Sequence, residues 1–153
     1  MKFDTVWKIL PVVVKKSKNG WGSAKGMFVY MPEGKDETTS LYKHELFHVK
    51  QFYVESALIG ASIIAGTYYL PFFAVTLGLL AIQNSRSHKT RKELAAYGES
   101  VRHEVQVNGK DAQEEIQKYA KIYDDSDSVY DEALTYAEIS DTIGLRYRDN
   151  RLF

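Results

Sequence analysis

The sequence predicts an α+β, mostly helical domain: a short N-terminal antiparallel β-hairpin or sheet packed on a helical bundle that contains a long apolar helical hairpin. Three observations point there. Residues 1–36 carry β-branched and aromatic runs punctuated by Pro11, Asn19-Gly20 and Pro32. From residue 38 onward, capping residues precede long stretches free of strand punctuation. Between Ser56 and Ser85 there is no charged residue at all. At 153 residues the chain is long enough to bury one core, so a single domain over 1–153 is expected.

Within 1–36, Val6–Leu10 and Val12–Val14 read as extended structure. Asn19-Gly20 is a favoured two-residue hairpin turn, with Trp21 just beyond it. Gly26–Met31 reads as a second strand, stopped by Pro32 and a Glu33-Gly34-Lys35-Asp36 turn. Residues 38–106 hold the central helices and the apolar hairpin. Thr38-Thr39-Ser40 supplies N-cap hydroxyls for the first of these helices. Arg86, His88, Lys89, Arg91 and Lys92 open a basic helix that continues to Gln106. In 107–153, Asn108-Gly109 is a turn and Asp111 caps a helix to Tyr123. Asp124–Ser128 is a loop, alternating in oxygens but lacking the glycine and distal glutamate of an EF-hand. A last helix spans 129–143, before Gly144 and a basic tail of Arg146, Arg148 and Arg151.

The chemistry centres on His44-Glu45-Leu46-Phe47-His48, followed three residues on by Gln51. On a helix, positions i and i+4 share a face one turn apart, so both imidazoles can reach one metal ion. Neutral imidazole suits zinc, and two histidines leave room for a third protein ligand and an open water position. Glu45 lies where a general base would hold that water. The alternative is a pair of surface histidines on an ordinary helix.

The uncharged stretch over 57–82 has the length of a transmembrane helix. A single crossing would strand His44 and His48 on the opposite side from every later ligand. A reversal near Pro71 avoids this, because proline disrupts helix interiors. Each arm then holds about a dozen apolar residues, short of the roughly 20 needed to span a bilayer. A hairpin buried in protein is the expectation; shallow membrane insertion and a true span are the competing readings. Antiparallel arms reversing at Pro71 set position i opposite roughly residue 142 minus i. Glu93 then falls level with about residue 49 and Glu99 with about residue 43, so either can supply the third ligand. His103 lands about two turns beyond the pair, and His88 on its other side, near residue 54.

With these residues in place, the chain resembles a minimal gluzincin-type zinc metallopeptidase, in which His-Glu-x-x-His is followed on a later helix by Glu-x-x-Ala. Glu93-Leu94-Ala95-Ala96 fits that second motif. The His-Glu-Leu-x-His-x-x-Gln form is similar to small zincin-like proteins of bacteria and phages. The resemblance runs over residues 27–104 and implies His44, His48 and Glu93 as zinc ligands, Glu45 as catalytic base and Ala96 as a small packing residue. The aspartate often found after the alanine in related peptidases is replaced by Tyr97. Tyr97 and His103 are candidate oxyanion or supporting residues, and Glu99 is the rival metal ligand. The Met27–Met31 strand is a candidate edge for an extended peptide substrate.

Zero net charge argues against nucleic acid as the partner. The absence of cysteine excludes thiolate ligands and disulfides. The N-terminus lacks a signal-peptide pattern, so a cytoplasmic protein is expected. Eleven tyrosines suit both cores and interfaces. The leading expectation is a zinc metallopeptidase acting on peptide or protein substrates. Two alternatives stand beside it. One is an inert zincin-like structural or assembly protein, for example of a phage particle and with an oligomer or assembly partner. The other is a membrane-associated metalloprotease anchored through 57–82.

Overall fold

The computed structural model describes residues 2–18, 20–35, 38–125 and 134–149. It is an α+β fold with four strands, β1 (Lys2–Val6), β2 (Leu10–Lys16), β3 (Ser23–Lys25) and β4 (Phe28–Met31), and five helices. The helices are α1 (Ser40–Tyr68), α2 (Phe72–Asn84), α3 (Arg86–Asn108), α4 (Ala112–Asp125) and α5 (Tyr136–Asp149).

The sheet differs from the all-antiparallel expectation. Its order is β1-β2-β4-β3, with β2 and β4 parallel and the two outer pairs antiparallel. The first reversal comes at Trp7-Lys8, both with positive φ (51° and 62°), closed by Ile9 N–H donating to the Val6 carbonyl at 3.2 Å. Left-handed backbone at two non-glycine residues is uncommon, which hides this turn in the sequence. The stretch around Asn19-Gly20 is not a tight hairpin, because β4 separates β2 from β3. Asn19 itself lies outside the described residues. The tight turn is Gly26-Met27, which joins β3 to β4, with Gly26 at φ +60°.

Two cores flank the middle of the molecule. Val6, Val12, Val29 and Met31 from the sheet meet Tyr42 and Val49 of α1. Tyr42 also donates its hydroxyl to the Asp4 carboxylate. On the far side, Leu94 and Val101 of α3 pack with Ile116, Tyr119 and Tyr123 of α4 and with Ile139 and Ile143 of α5. Phe47, with Ala95 and Ala96, locks α1 to α3 between these cores. Gly98 brings α3 and α5 together: a Cβ there would lie 2.7 Å from the Arg146 Cβ and 3.0 Å from its carbonyl carbon.

The helix starts follow the sequence cues. Thr39 accepts from the Tyr42 N–H at 3.3 Å, and Asp111 from those of Gln113 and Glu114 at 2.9 and 3.0 Å. The final helix departs from expectation: α5 runs through Gly144 to Asp149, so Arg146 and Arg148 belong to it rather than to a tail. The expected helix start at Val129, Ser126–Ser128 of the expected loop, and Arg151 lie outside the described residues.

The chain reverses at 69–71, and α1 and α2 meet through a Ser62–Thr76 hydroxyl hydrogen bond of 2.9 Å. The expectation that protein buries this apolar stretch is not met. Beyond Glu55, α1 buries only Ser62 and Gly66, and α2 buries only Thr76. Leu70 and Leu77 are 76% and 68% exposed. Among the described residues, no helix is long and apolar enough to cross a membrane.

Candidate metal centre

The first half of α1 carries the motif, and the α1–α3 packing returns Glu93 to it. The Phe47 contact sets the rotation of α1, so that His44 and His48 face α3. The three donors converge tightly. His44 Nε2 and His48 Nε2 are 3.2 Å apart, and each lies 3.3 Å from one oxygen of the Glu93 carboxylate. Tetrahedral zinc with bonds of about 2.0–2.1 Å requires donor separations of about 3.3–3.4 Å. The imidazole–imidazole–carboxylate set therefore fits a divalent metal such as zinc in chemistry and in spacing. The three residues form a group able to hold a metal ion, with every donor atom within 4.8 Å of the others.

The rings are fixed from behind. Gln51, wholly buried, has its side-chain oxygen 3.1 Å from His48 Nδ1. An amide oxygen can only accept, so Nδ1 carries a proton and Nε2 is the nitrogen that would ligate a metal. His44 hydrogen-bonds the backbone of Ala96, while its Nε2 faces Glu93. Ala96 is fully buried, and its small side chain permits the helices to close.

The electrostatics match a site built around charge. Burial pushes the His44 pKa down. For His48, burial pulls the same way, but hydrogen bonding to Glu93 reverses it and the pKa is raised. Burial would raise Glu93; the hydrogen bonds from both histidines instead hold it well below the usual carboxylate range. Burial lifts the Glu45 carboxyl to about 7. Glu45 is 5% exposed, and the Gly22 backbone crosses beside it: a Cβ on Gly22 would sit 3.0 Å from Glu45 Oε1.

A cavity of about 710 Å³ opens over these groups. Its floor holds His44, Glu45, His48 and Glu93, and Tyr97 and Tyr119 line one wall. Trp21, Gly22, Ser23 and Ala24 line the other, so β3, one of the two outer strands of the sheet, borders the site. This corrects the expectation for Met27–Met31: β4 lies inside the sheet, paired on both sides, and β3 is the edge strand on its side.

The remaining candidates divide clearly. The Tyr97 ring lies tilted against His44, 4.7 Å from it centroid to centroid, and burial raises its hydroxyl pKa, so it stays protonated as a donor. Glu99 is not part of the donor group. Its carboxylate is held by Arg102, which also donates to the carbonyls of Arg146 and Tyr147 on α5. Six positions from Glu93 on one helix, it points elsewhere. His103 is also remote from the centre: its Nε2 donates to the Thr38 carbonyl at 2.7 Å, bracing the start of α1. His88 joins a second cluster one to two turns along, where Glu55 accepts from His88, Lys92 and Gln83 at 2.8–2.9 Å.

Sequence reasoning gave Gln51 no role and missed Gly22 and the Glu55 cluster. The Gln51 spacing of three from His48 was the available signal. Nothing local to Gly22 links it to a helix two dozen residues later. Comparison with protein-family models, curated proteins and solved structures returns no match.

Proposed function

We propose that the chain is a zinc-dependent metallopeptidase that hydrolyses peptide bonds with Glu45 as general base. The observation that carries this reading is the 3.2–3.3 Å spacing of the His44, His48 and Glu93 donors at the floor of an open cleft. Zinc held by these residues would supply Lewis-acid activation of a water and of the substrate carbonyl.

The chain's own groups supply the rest. Glu45 takes the proton of the attacking water and passes it to the leaving amine. In the metal-free chain burial raises its carboxyl, and a divalent cation at the three donors would favour the carboxylate form that accepts the proton. Gln51 and the Ala96 backbone keep both rings oriented. The outer edge of β3 offers backbone groups to an extended peptide, which aligns the scissile bond along the cleft. Tyr97, protonated and against His44, is the donor toward the developing oxyanion.

The test is peptide-library hydrolysis by zinc-loaded protein beside Glu45→Gln. The expected result is cleavage by the wild type and a loss of about 10²–10⁴-fold in the variant, with its zinc content unchanged. A wild type that holds zinc and cleaves nothing would move the reading to an inert zincin-like assembly protein with a structural metal.

A further inference from the structure

The α1–α2 hairpin leaves an apolar surface that the other described residues do not cover. We infer that it inserts, tip first, into one leaflet of an anionic lipid bilayer. Four observations argue for lipid as the occupant.

The first is the distribution of apolar groups. On α2, Phe72, Val75, Leu77, Leu80 and Ile82 are all 38–68% exposed. At 100° per residue these positions spread around the helix rather than forming a stripe. A second protein surface covers one face; hydrocarbon covers all of them. The second is length. Ala57–Tyr68 rises about 18 Å as a helix, close to the roughly 15 Å hydrocarbon depth of one leaflet and far short of a full span.

The third is the state of the polar groups. Ser62 and Thr76 bond one another, Ser62 also donates to the Ile59 carbonyl, and Thr67 donates to that of Ile64 at 2.6 Å. At the tip, the N–H groups of Tyr69, Phe72, Phe73 and Ala74 find chain carbonyls and Pro71 has no N–H, so Leu70 carries the one tip N–H outside this set. Such near-closure lowers the cost of placing the tip in hydrocarbon, where an unpaired backbone group is expensive. The fourth is charge. Arg86, Lys89 and Arg91 stand exposed where the apolar stretch ends, and between Lys50 and Lys92 the sole acid is Glu55, already paired with Lys92. A cationic collar at the base of an apolar wedge matches an anionic headgroup layer.

His48 lies eight residues before Ser56, so insertion would hold the metal centre about 12 Å above the hairpin base. Glu55, Gln83 and Lys89 line the end of the cleft nearest the collar. Resting on the metallopeptidase reading, this makes the substrates juxtamembrane segments of membrane-anchored proteins.

The test is co-sedimentation of the full chain with phosphatidylcholine vesicles, with and without about 30% phosphatidylserine. The expected result is binding that strengthens with phosphatidylserine and weakens with salt. Leu70→Glu/Leu77→Glu, at exposed positions, should lose at least about tenfold in binding with an unchanged melting temperature. Arg86→Glu/Lys89→Glu should abolish the preference for anionic vesicles. Glu45→Gln should bind vesicles as the wild type does, which separates this inference from hydrolysis. Absence of vesicle binding would overturn it, as would indifference to the tip glutamates. A dimer dissolved by those glutamates, without vesicle binding, would overturn it in favour of a second copy.

Discussion

From Tyr42 to Glu55, α1 is clamped between sheet and bundle and buries residues on nearly every turn; from Ser56 to Tyr68 the same helix buries only Ser62 and Gly66. The first half mixes polar and apolar residues, and several of its polar groups are paired: His44 and His48 meet Glu93, Gln51 meets His48, and Glu55 meets His88 and Lys92. The second half is nearly all apolar yet far more exposed. The contrast teaches that hydropathy along this helix does not report what covers it. The more hydrophobic half is the less buried one, and the site sits where the chain bears the cost of desolvating charge.

Breaking the contact that closes the first half should have the largest effect on stability. Phe47→Ala removes the side chain that locks α1 to Ala95 and Ala96, and should cost about 3–5 kcal/mol in urea unfolding of the metal-free protein. Leu77→Ala, an equally apolar truncation in the hairpin, should stay within about 0.5 kcal/mol, since the side chain is largely exposed. Comparable losses at the two positions would erase the distinction between the halves.

A smaller effect follows from the buried Glu45. Its carboxyl is raised from 4.5 to about 7 in the folded chain, chiefly by burial. Below the ordinary carboxylate range both folded and unfolded chains hold the proton, and Glu45 costs nothing. As pH rises toward 7 the unfolded chain releases it first, so stability falls, and the full penalty of roughly 3 kcal/mol is reached above about pH 7. Metal-free Glu45→Gln should therefore exceed the wild type in stability by about that amount at pH 8 and match it at pH 4. Equal stability at pH 8, measured by denaturant titration, would place Glu45 in contact with water.

The smallest change concerns ring orientation. Gln51→Leu removes the acceptor for His48 Nδ1 and should weaken zinc binding about 10–100-fold, leaving the fold intact. Competition with a chromophoric chelator measures it.

Much of the site was legible because helical spacing is rigid. The i, i+4 histidines, the break at Pro71 and equal rise in antiparallel arms are enough to bring the chain back to His48 near Glu93. They leave Glu99 open, because level along an axis says nothing of direction around it; the Arg102 contact decides that. The sheet was less legible. Its first turn uses Trp7 and Lys8 where glycine or asparagine would signal it, and the parallel β2–β4 pairing depends on contacts distant in sequence. Gly144 resembles a helix stop but lies within α5 against Ile116. The apolar hairpin was legible as a hairpin and illegible as a surface, since the same side chains serve a protein core and a lipid leaflet.

The central claim is that His44, His48 and Glu93 hold one metal ion, and zinc stoichiometry across paired variants tests it most directly. The prediction is about one zinc per chain in the wild type and in Glu99→Gln, and loss of zinc in His48→Ala and Glu93→Ala. A wild type without stoichiometric zinc, or a Glu99→Gln variant that loses it while Glu93→Ala keeps it, would contradict the account.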